Sequence, residues 1–167
     1  MVKYAAMKKS ISDKLCLFAA TGCGLGLITP FAPGTFGSIP GVALAYWLSG
    51  FSPVLQTVCA LLLVAAAVPL CSRAEKILGV EDDGRIAADE WMLFPVATIG
   101  LPLGELPWWM VAIFFAVVRM VDIIKPPPAY ALQRVKGGLG VVLDDFAANI
   151  YSLAVNWAIY IFVKGAL

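Results

Sequence analysis

The run from Val54 to Cys71, VLQTVCALLLVAAAVPLC, holds no charged side chain, and it constrains the whole chain. It is long enough to cross a bilayer, whose hydrocarbon core takes ~20 residues of helix. In that medium a backbone N–H or C=O finds no water, so crossing segments must satisfy their own hydrogen bonds. The chain is therefore expected to be all-α. Ile39 to Phe51 is short for a crossing and is split from the next run by Ser52-Pro53. Trp91 to Leu103 carries Pro95 and Gly100. Trp108 to Ile124 is a strong spanning candidate with an aromatic belt at Trp108 and Trp109. Phe146 to Val163 is the last apolar helix. Leu15 to Phe31 differs, because Gly22, Gly24, Gly26 and Pro30 break it. A re-entrant or half-buried segment is expected there, after an interfacial, partly helical basic arm from Met1 to Lys14. Residues 1–167 read as one multi-helical integral membrane domain.

Composition supports this and narrows the chemistry. The chain is 61% hydrophobic and 14% charged, with a mean hydropathy of +0.88. Soluble domains run about 45–50% apolar and about 25% charged. A net charge of +1 without a basic run argues against a nucleic-acid partner. No secretory leader with a cleavage site is evident. Cys16, Cys23, Cys59 and Cys71 lack paired metal-site spacing and read as small core or lipid-facing hydrophobes. The absence of histidine removes Ser-His-Asp catalysis, phosphohistidine chemistry and most zinc sites. No cysteine is followed six positions later by arginine, so a cysteine-phosphatase loop is absent. For an enzyme, carboxylates with a hard metal are the chemistry left.

Sidedness follows from charge. With the N-terminus inside and the apolar segments alternating, every basic residue except Lys164 falls on the inner side. That is a strong positive-inside signal. The same assignment puts every acid except Glu105 inside. Acids are not sorted by that rule, so their clustering needs its own cause, and a polar site on the cytoplasmic face supplies one.

Three polar islands share that face. Ala32 to Ser38 forms a tight loop with free amides and hydroxyls before a helix beginning near Ile39, which suits an anion but also describes an ordinary capped helix start. Asp83 with Asp89-Glu90 makes the second. The third runs from Arg119 through Asp122, Lys125 and three prolines to Gly137-Gly138, Gly140 and Asp144-Asp145. Glycine lets backbone amides approach a ligand closely. Two aspartates at the mouth of an apolar helix are costly unless they bind something, although acids in a first turn also suit the helix dipole.

These islands resemble the phosphatidylglycerophosphatase A family of bacterial phospholipid synthesis. The resemblance is carried by APGTFGS at Ala32–Ser38, DE at Asp89–Glu90, RMVDIIKPPP at Arg119–Pro128 and GGLGVVLDD at Gly137–Asp145. It covers the chain from about Thr21 to Ala148, and four motifs in this order and spacing are specific. It implies Mg2+-dependent hydrolysis of phosphatidylglycerophosphate to phosphatidylglycerol and phosphate. It also implies an all-helical, multi-pass or deeply embedded fold in the bacterial inner membrane, with the active site on the cytoplasmic face. One departure is Ala147-Ala148-Asn149, where an alanine-glycine step is usual; Asn149 is expected to loosen close helix packing there without touching the carboxylates.

On that resemblance, Asp89, Glu90, Asp144 and Asp145 are the catalytic and Mg2+-binding carboxylates, with Asp83 a further metal ligand. Mg2+ prefers a few carboxylates plus waters and substrate oxygens. Lys125 and Arg119 are the phosphate partners, and Lys125 counts among the catalytic residues as well. Thr35, Ser38, the amides near Gly34 and Gly37, and Gly137 and Gly138 complete substrate binding. The partners are phosphatidylglycerophosphate in the bilayer and membrane lipids, with no protein partner inferable. Simpler readings stand beside these: Arg119 and Asp122, three apart on one helix face, as a structural ion pair, and Asp83 as a solvated loop acid. Two other functions compete. A small ion-binding transporter would also place charges near broken apolar segments. Another Mg2+-dependent phospholipid head-group enzyme could use the same carboxylates.

Overall fold

The computed structural model describes residues 10–28, 31–81, 83–133, 135 and 137–166. Lys3, Lys8, Lys9, Pro30, Asp82, Arg134 and Lys136 lie outside the described residues. Among those described, the chain is helical and contains no strand. The helices are α1 (Ile11–Ala20), α2 (Leu25–Ile28), α3 (Pro33–Gly37), α4 (Ile39–Leu48), α5 (Pro53–Leu78), α6 (Ala88–Leu93), α7 (Trp108–Ile124), α8 (Ala129–Leu132) and α9 (Gly138–Ala166). Two 3-10 turns, Phe94–Thr98 and Leu103–Glu105, follow α6.

Local chemistry sets most boundaries. Ser10 caps α1 in a reciprocal box with Asp13. Ser52 caps α5, Pro53 opens it, and Gly79 at φ 73° closes it in the left-handed region. The expected break after α1 is real: Gly22 stands at φ 60°, and a side chain there would strike the backbone of Gly37. Two expectations change. A short helix, α3, occupies the stretch read as a tight loop, because Pro33 pre-sets the helical φ of a first turn. And α9 begins at Gly138, eight residues before Phe146, so Asp144 and Asp145 lie about two turns inside it.

Among the described residues, two helices are long and apolar enough to cross a membrane, in α5 (Pro53–Leu78) and α9 (Gly138–Gly165). At 17 residues α7 is ~25 Å long, short of a ~30 Å hydrocarbon core. The outward side chains Leu61, Leu62, Trp47, Ile123 and Phe162 are all exposed. Soluble monomers rarely leave apolar surface of that kind uncovered.

Two apolar clusters hold the helices. One joins α1, α5, α6 and α9 through Leu17, Cys71, Met92, Leu93 and Val142. The other joins α4, both 3-10 turns and α7 through Ala45, Phe94, Leu101, Leu103, Met110 and Phe114. The stretch Trp91–Leu103, one of the apolar segments whose alternation set the sidedness above, is broken and mostly buried within protein. That is the condition under which irregular backbone survives at membrane depth. Its freed groups find partners on the long helices. Asn156 Nδ2 donates to the Ala97 carbonyl at 3.0 Å, and Trp157 Nε1 to the Ile99 carbonyl at 3.0 Å. The Gly100 amide donates to Gln56 Oε1 at 2.7 Å.

Candidate active site

A cleft of about 460 Å3 opens where α3, α6, the end of α7 and the start of α9 meet. Thr35, Asp83, Asp89, Glu90, Arg119, Asp122, Lys125, Asp144 and Asp145 line it, with Gly34 and Gly137 from the glycine motifs. Residues separated by more than a hundred positions in sequence thus share one space.

Each element presents its groups for a local reason. The Ala87 amide donates to the Ala20 carbonyl at 2.8 Å, which anchors the start of α6 and holds Asp89 and Glu90 at the cleft wall. On α7 the three-residue spacing puts Arg119, Asp122 and Lys125 along one stripe. Lys125 ends that helix in the left-handed region, at φ 47° and ψ 66°. A residue other than glycine there costs of order 1–3 kcal/mol and persists only when its surroundings hold it. Here its ammonium is held by Asp144, with Asp145 Oδ1 at 3.9 Å and Asp122 Oδ1 at 4.0 Å.

A second set of bonds runs across the cleft. Arg119 Nη1 lies 2.9 Å from Glu90 Oε2 and 3.1 Å from Asp122 Oδ2. Ser38 Oγ stands 2.5 Å from Glu90 Oε2 and 2.6 Å from the Gly34 carbonyl. The Arg119–Asp122 ion pair is therefore present, but it is one link of a chain that extends to Glu90 and Lys125. The buried oxygens Asp89 Oδ1, Asp122 Oδ1 and Asp144 Oδ1 have no hydrogen-bond partner among the described residues.

Burial pushes the Asp89 carboxyl well above the usual carboxylate range, and the neighbouring Glu90 charge adds to the rise. Burial raises Glu90 too, against the opposing pull of Arg119. Burial would lower the Lys125 ammonium, but its bond to Asp144 and the charges of Asp145 and Asp122 outweigh that and raise it. Asp83 behaves differently. Its bonds with Arg85, one of them at 2.8 Å to Nε, hold it below the ordinary range. It lines the cleft already partnered.

Three expected substrate groups stand behind the wall. Ser38 is buried and faces Glu90. Gly37 packs against Ala87. Gly138 is buried where a side chain would strike Ser72 and the Val68 carbonyl, so it admits α5 against α9. Asn149 does not loosen the helix: it is 3% exposed and donates to the Asp145 carbonyl at 2.9 Å. Asp122 is the residue whose place in the cleft sequence reasoning undervalued. The Arg119, Asp122, Lys125 stripe was the signal available.

The chain matches the family described as Phosphatidylglycerophosphatase A over residues 18–160. It is 33% identical over 141 residues to an Escherichia coli phosphatidylglycerophosphatase A, covering 84% of this chain and 80% of that protein. It is 34% identical over 142 residues to the Haemophilus influenzae protein of the same name, covering 84% and 85%. A Bacteroides thetaiotaomicron protein provisionally named phosphatidylinositol-3-phosphatase is 36% identical over 144 residues, covering 83% and 89%. No solved structure matches the chain.

Proposed function

The chain belongs to the phosphatidylglycerophosphatase A family, and from that premise we propose how its cleft works. The protein is a phosphatase. It hydrolyses the terminal phosphomonoester of phosphatidylglycerophosphate, releasing phosphatidylglycerol and inorganic phosphate. One observation carries the reading: Asp89, Glu90, Asp144 and Asp145 line the same cleft as Arg119 and Lys125.

The charges in the cleft support a divalent cation. Eight carboxylates line the cleft beside two basic side chains, and the substrate brings further negative charge. Among the described residues no group of three or more His, Cys, Asp or Glu is drawn together to hold a metal alone. Mg2+ does not need one, since it binds through one or two carboxylates and keeps waters and substrate oxygens. The partnerless oxygens of Asp89 and Asp144 offer the hard donors it takes. Asp89 and Asp144 would hold it, with Asp145 beside them and Glu90 at the Arg119 side. When bound, Mg2+ supplies the positive charge that polarises a phosphoryl oxygen and offsets the carboxylates.

The protein's own residues do the rest. Lys125 transfers its ammonium from Asp144 to a phosphate oxygen, which frees that carboxylate. Arg119, fixed by Glu90 and Asp122, presents its guanidinium to the charge that spreads over the outer oxygens during phosphoryl transfer. Ser38 fixes Glu90. Thr35 offers a hydroxyl from the α3 wall.

The protein lies in a bacterial inner membrane as a multi-pass domain with this cleft on the cytoplasmic face. The basic-residue asymmetry supports that orientation, and the exposed Ile11, Leu15 and Phe18 of α1 support a half-buried N-terminal segment. The test is phosphate release from phosphatidylglycerophosphate in detergent. Activity is expected to vanish with chelator, return with Mg2+ and recover poorly with Ca2+, which is larger and takes more ligands. Full activity in chelator would remove the metal from the reading. The Bacteroides relative favours a second substrate, so phosphatidylinositol 3-phosphate belongs in the same assay.

A further inference from the structure

A second cavity, of about 260 Å3, lies toward the far end of α9. Asp144 and Lys164 share that helix and stand about 30 Å apart at ~1.5 Å per residue. That distance is close to the ~30 Å thickness of a hydrocarbon core. With the carboxylate cleft at one membrane interface, this cavity opens at the other. Leu106, Met110 and Trp109 give it apolar walls, and Tyr160 forms the side next to α9.

Two opposite charges line it, Lys164 on α9 and Glu105 at the end of the second 3-10 turn. No ion pair among the described residues joins them, although they face one space. Lys164 Nζ instead leans on Tyr160, 3.4 Å from its hydroxyl and 5.6 Å from its ring centroid. The ammonium keeps donors for a ligand, and Glu105 keeps its acceptors. An anionic occupant would satisfy Lys164 and be repelled by Glu105. A cation would do the reverse, and an apolar chain would satisfy neither.

We propose that this cavity binds the phosphoethanolamine head group of a membrane lipid, phosphate against Lys164 and ammonium against Glu105. The aromatic walls suit the ammonium, since ring faces attract cations. The ligand is not the substrate, because it occupies the leaflet opposite the cleft. The site rests on the membrane placement proposed above but not on the hydrolytic chemistry of the cleft.

The test titrates short-chain phosphatidylethanolamine into the full-length protein in detergent and follows melting temperature. Wild type is expected to gain stability with added lipid. Glu105→Gln and Lys164→Gln should each weaken the apparent affinity at least about tenfold, the scale of one lost charged hydrogen bond. Both side chains are exposed, so the lipid-free melting of the variants should match wild type. An unchanged lipid effect in either variant would overturn the proposal. So would stabilisation by phosphatidylglycerol that Lys164→Gln abolishes and Glu105→Gln leaves intact, which would make the occupant an anionic lipid.

Discussion

The cleft and the broken stretch between Phe94 and Gly100, a crossing in the proposed multi-pass fold, both place polar groups among apolar helices, and they treat them in opposite ways. In the broken stretch, carbonyls and amides freed by irregular backbone are met by Asn156, Trp157 and Gln56, and the one oxygen left over there, Asn156 Oδ1, is a neutral amide's. In the cleft, Asp89, Asp122 and Asp144 each retain a carboxylate oxygen with no hydrogen-bond partner among the described residues. Satisfied polar groups rigidify a fold, whereas unsatisfied buried ones are high-stakes and call for a ligand. The first region is built to hold still and the second to bind. Changes in the crossing should therefore act on stability, and changes in the cleft on turnover.

The largest expected effect is in the cleft. Asp145→Asn and Asp89→Asn keep size and remove one charge. Each should lower turnover at least ~100-fold, the scale on which perturbed metal ligands or their supports are felt. Melting in detergent without metal should hold or rise, because repulsion among neighbouring carboxylates is relieved. A steep fall in melting would erase the contrast with the crossing. Lys125→Ala should come next, weakening phosphate binding or catalysis in a folded protein. Lys125→Arg should rescue it only in part, since a planar fork and a point charge differ in geometry. Wild-type activity in the alanine variant would remove Lys125 from the reaction.

The crossing should respond the other way. Asn156→Ala leaves the buried Ala97 carbonyl unmet and should destabilise by ~1–3 kcal/mol. Phosphate release per folded molecule should stay near wild type, as read by assay beside denaturation in detergent. The smallest effect tests which way round the two regions sit. Single cysteines are placed at Gly84 and Glu105 in a chain lacking the native four. In whole cells an impermeant reagent should label the second and spare the first; the reverse pattern would invert the proposed orientation.

The cleft was far more legible than the crossing, for a physical reason. A carboxylate or ammonium in an apolar chain is expensive wherever it sits, so Asp89, Glu90, Lys125, Asp144 and Asp145 stood out, and the order and spacing of their motifs gave them roles. The crossing depends on pairs. The Gln56 to Gly100 bond joins positions 44 apart, and the Asn156 to Ala97 bond positions 59 apart. Amides and an indole in apolar helices are tolerated in many settings, so nothing local marks which backbone they will meet. Helix limits failed for a related reason. The glycines at 138 and 140 looked like loop because glycine is a poor helix former. Their small size instead admits neighbouring atoms: Ser72 and the Val68 carbonyl at Gly138, the Val135 backbone at Gly140.

The left-handed conformation of Lys125 has a consequence for anyone who improves this protein by selection. Glycine adopts that backbone freely, so Lys125→Gly should relieve strain there while deleting the ammonium the cleft depends on. Relief of that strain and loss of the ion pair with Asp144 pull melting in opposite directions, so a screen that ranks variants by heat resistance alone would not report what this position does in the cleft. Any thermostabilisation campaign here needs a turnover counter-screen from its first round.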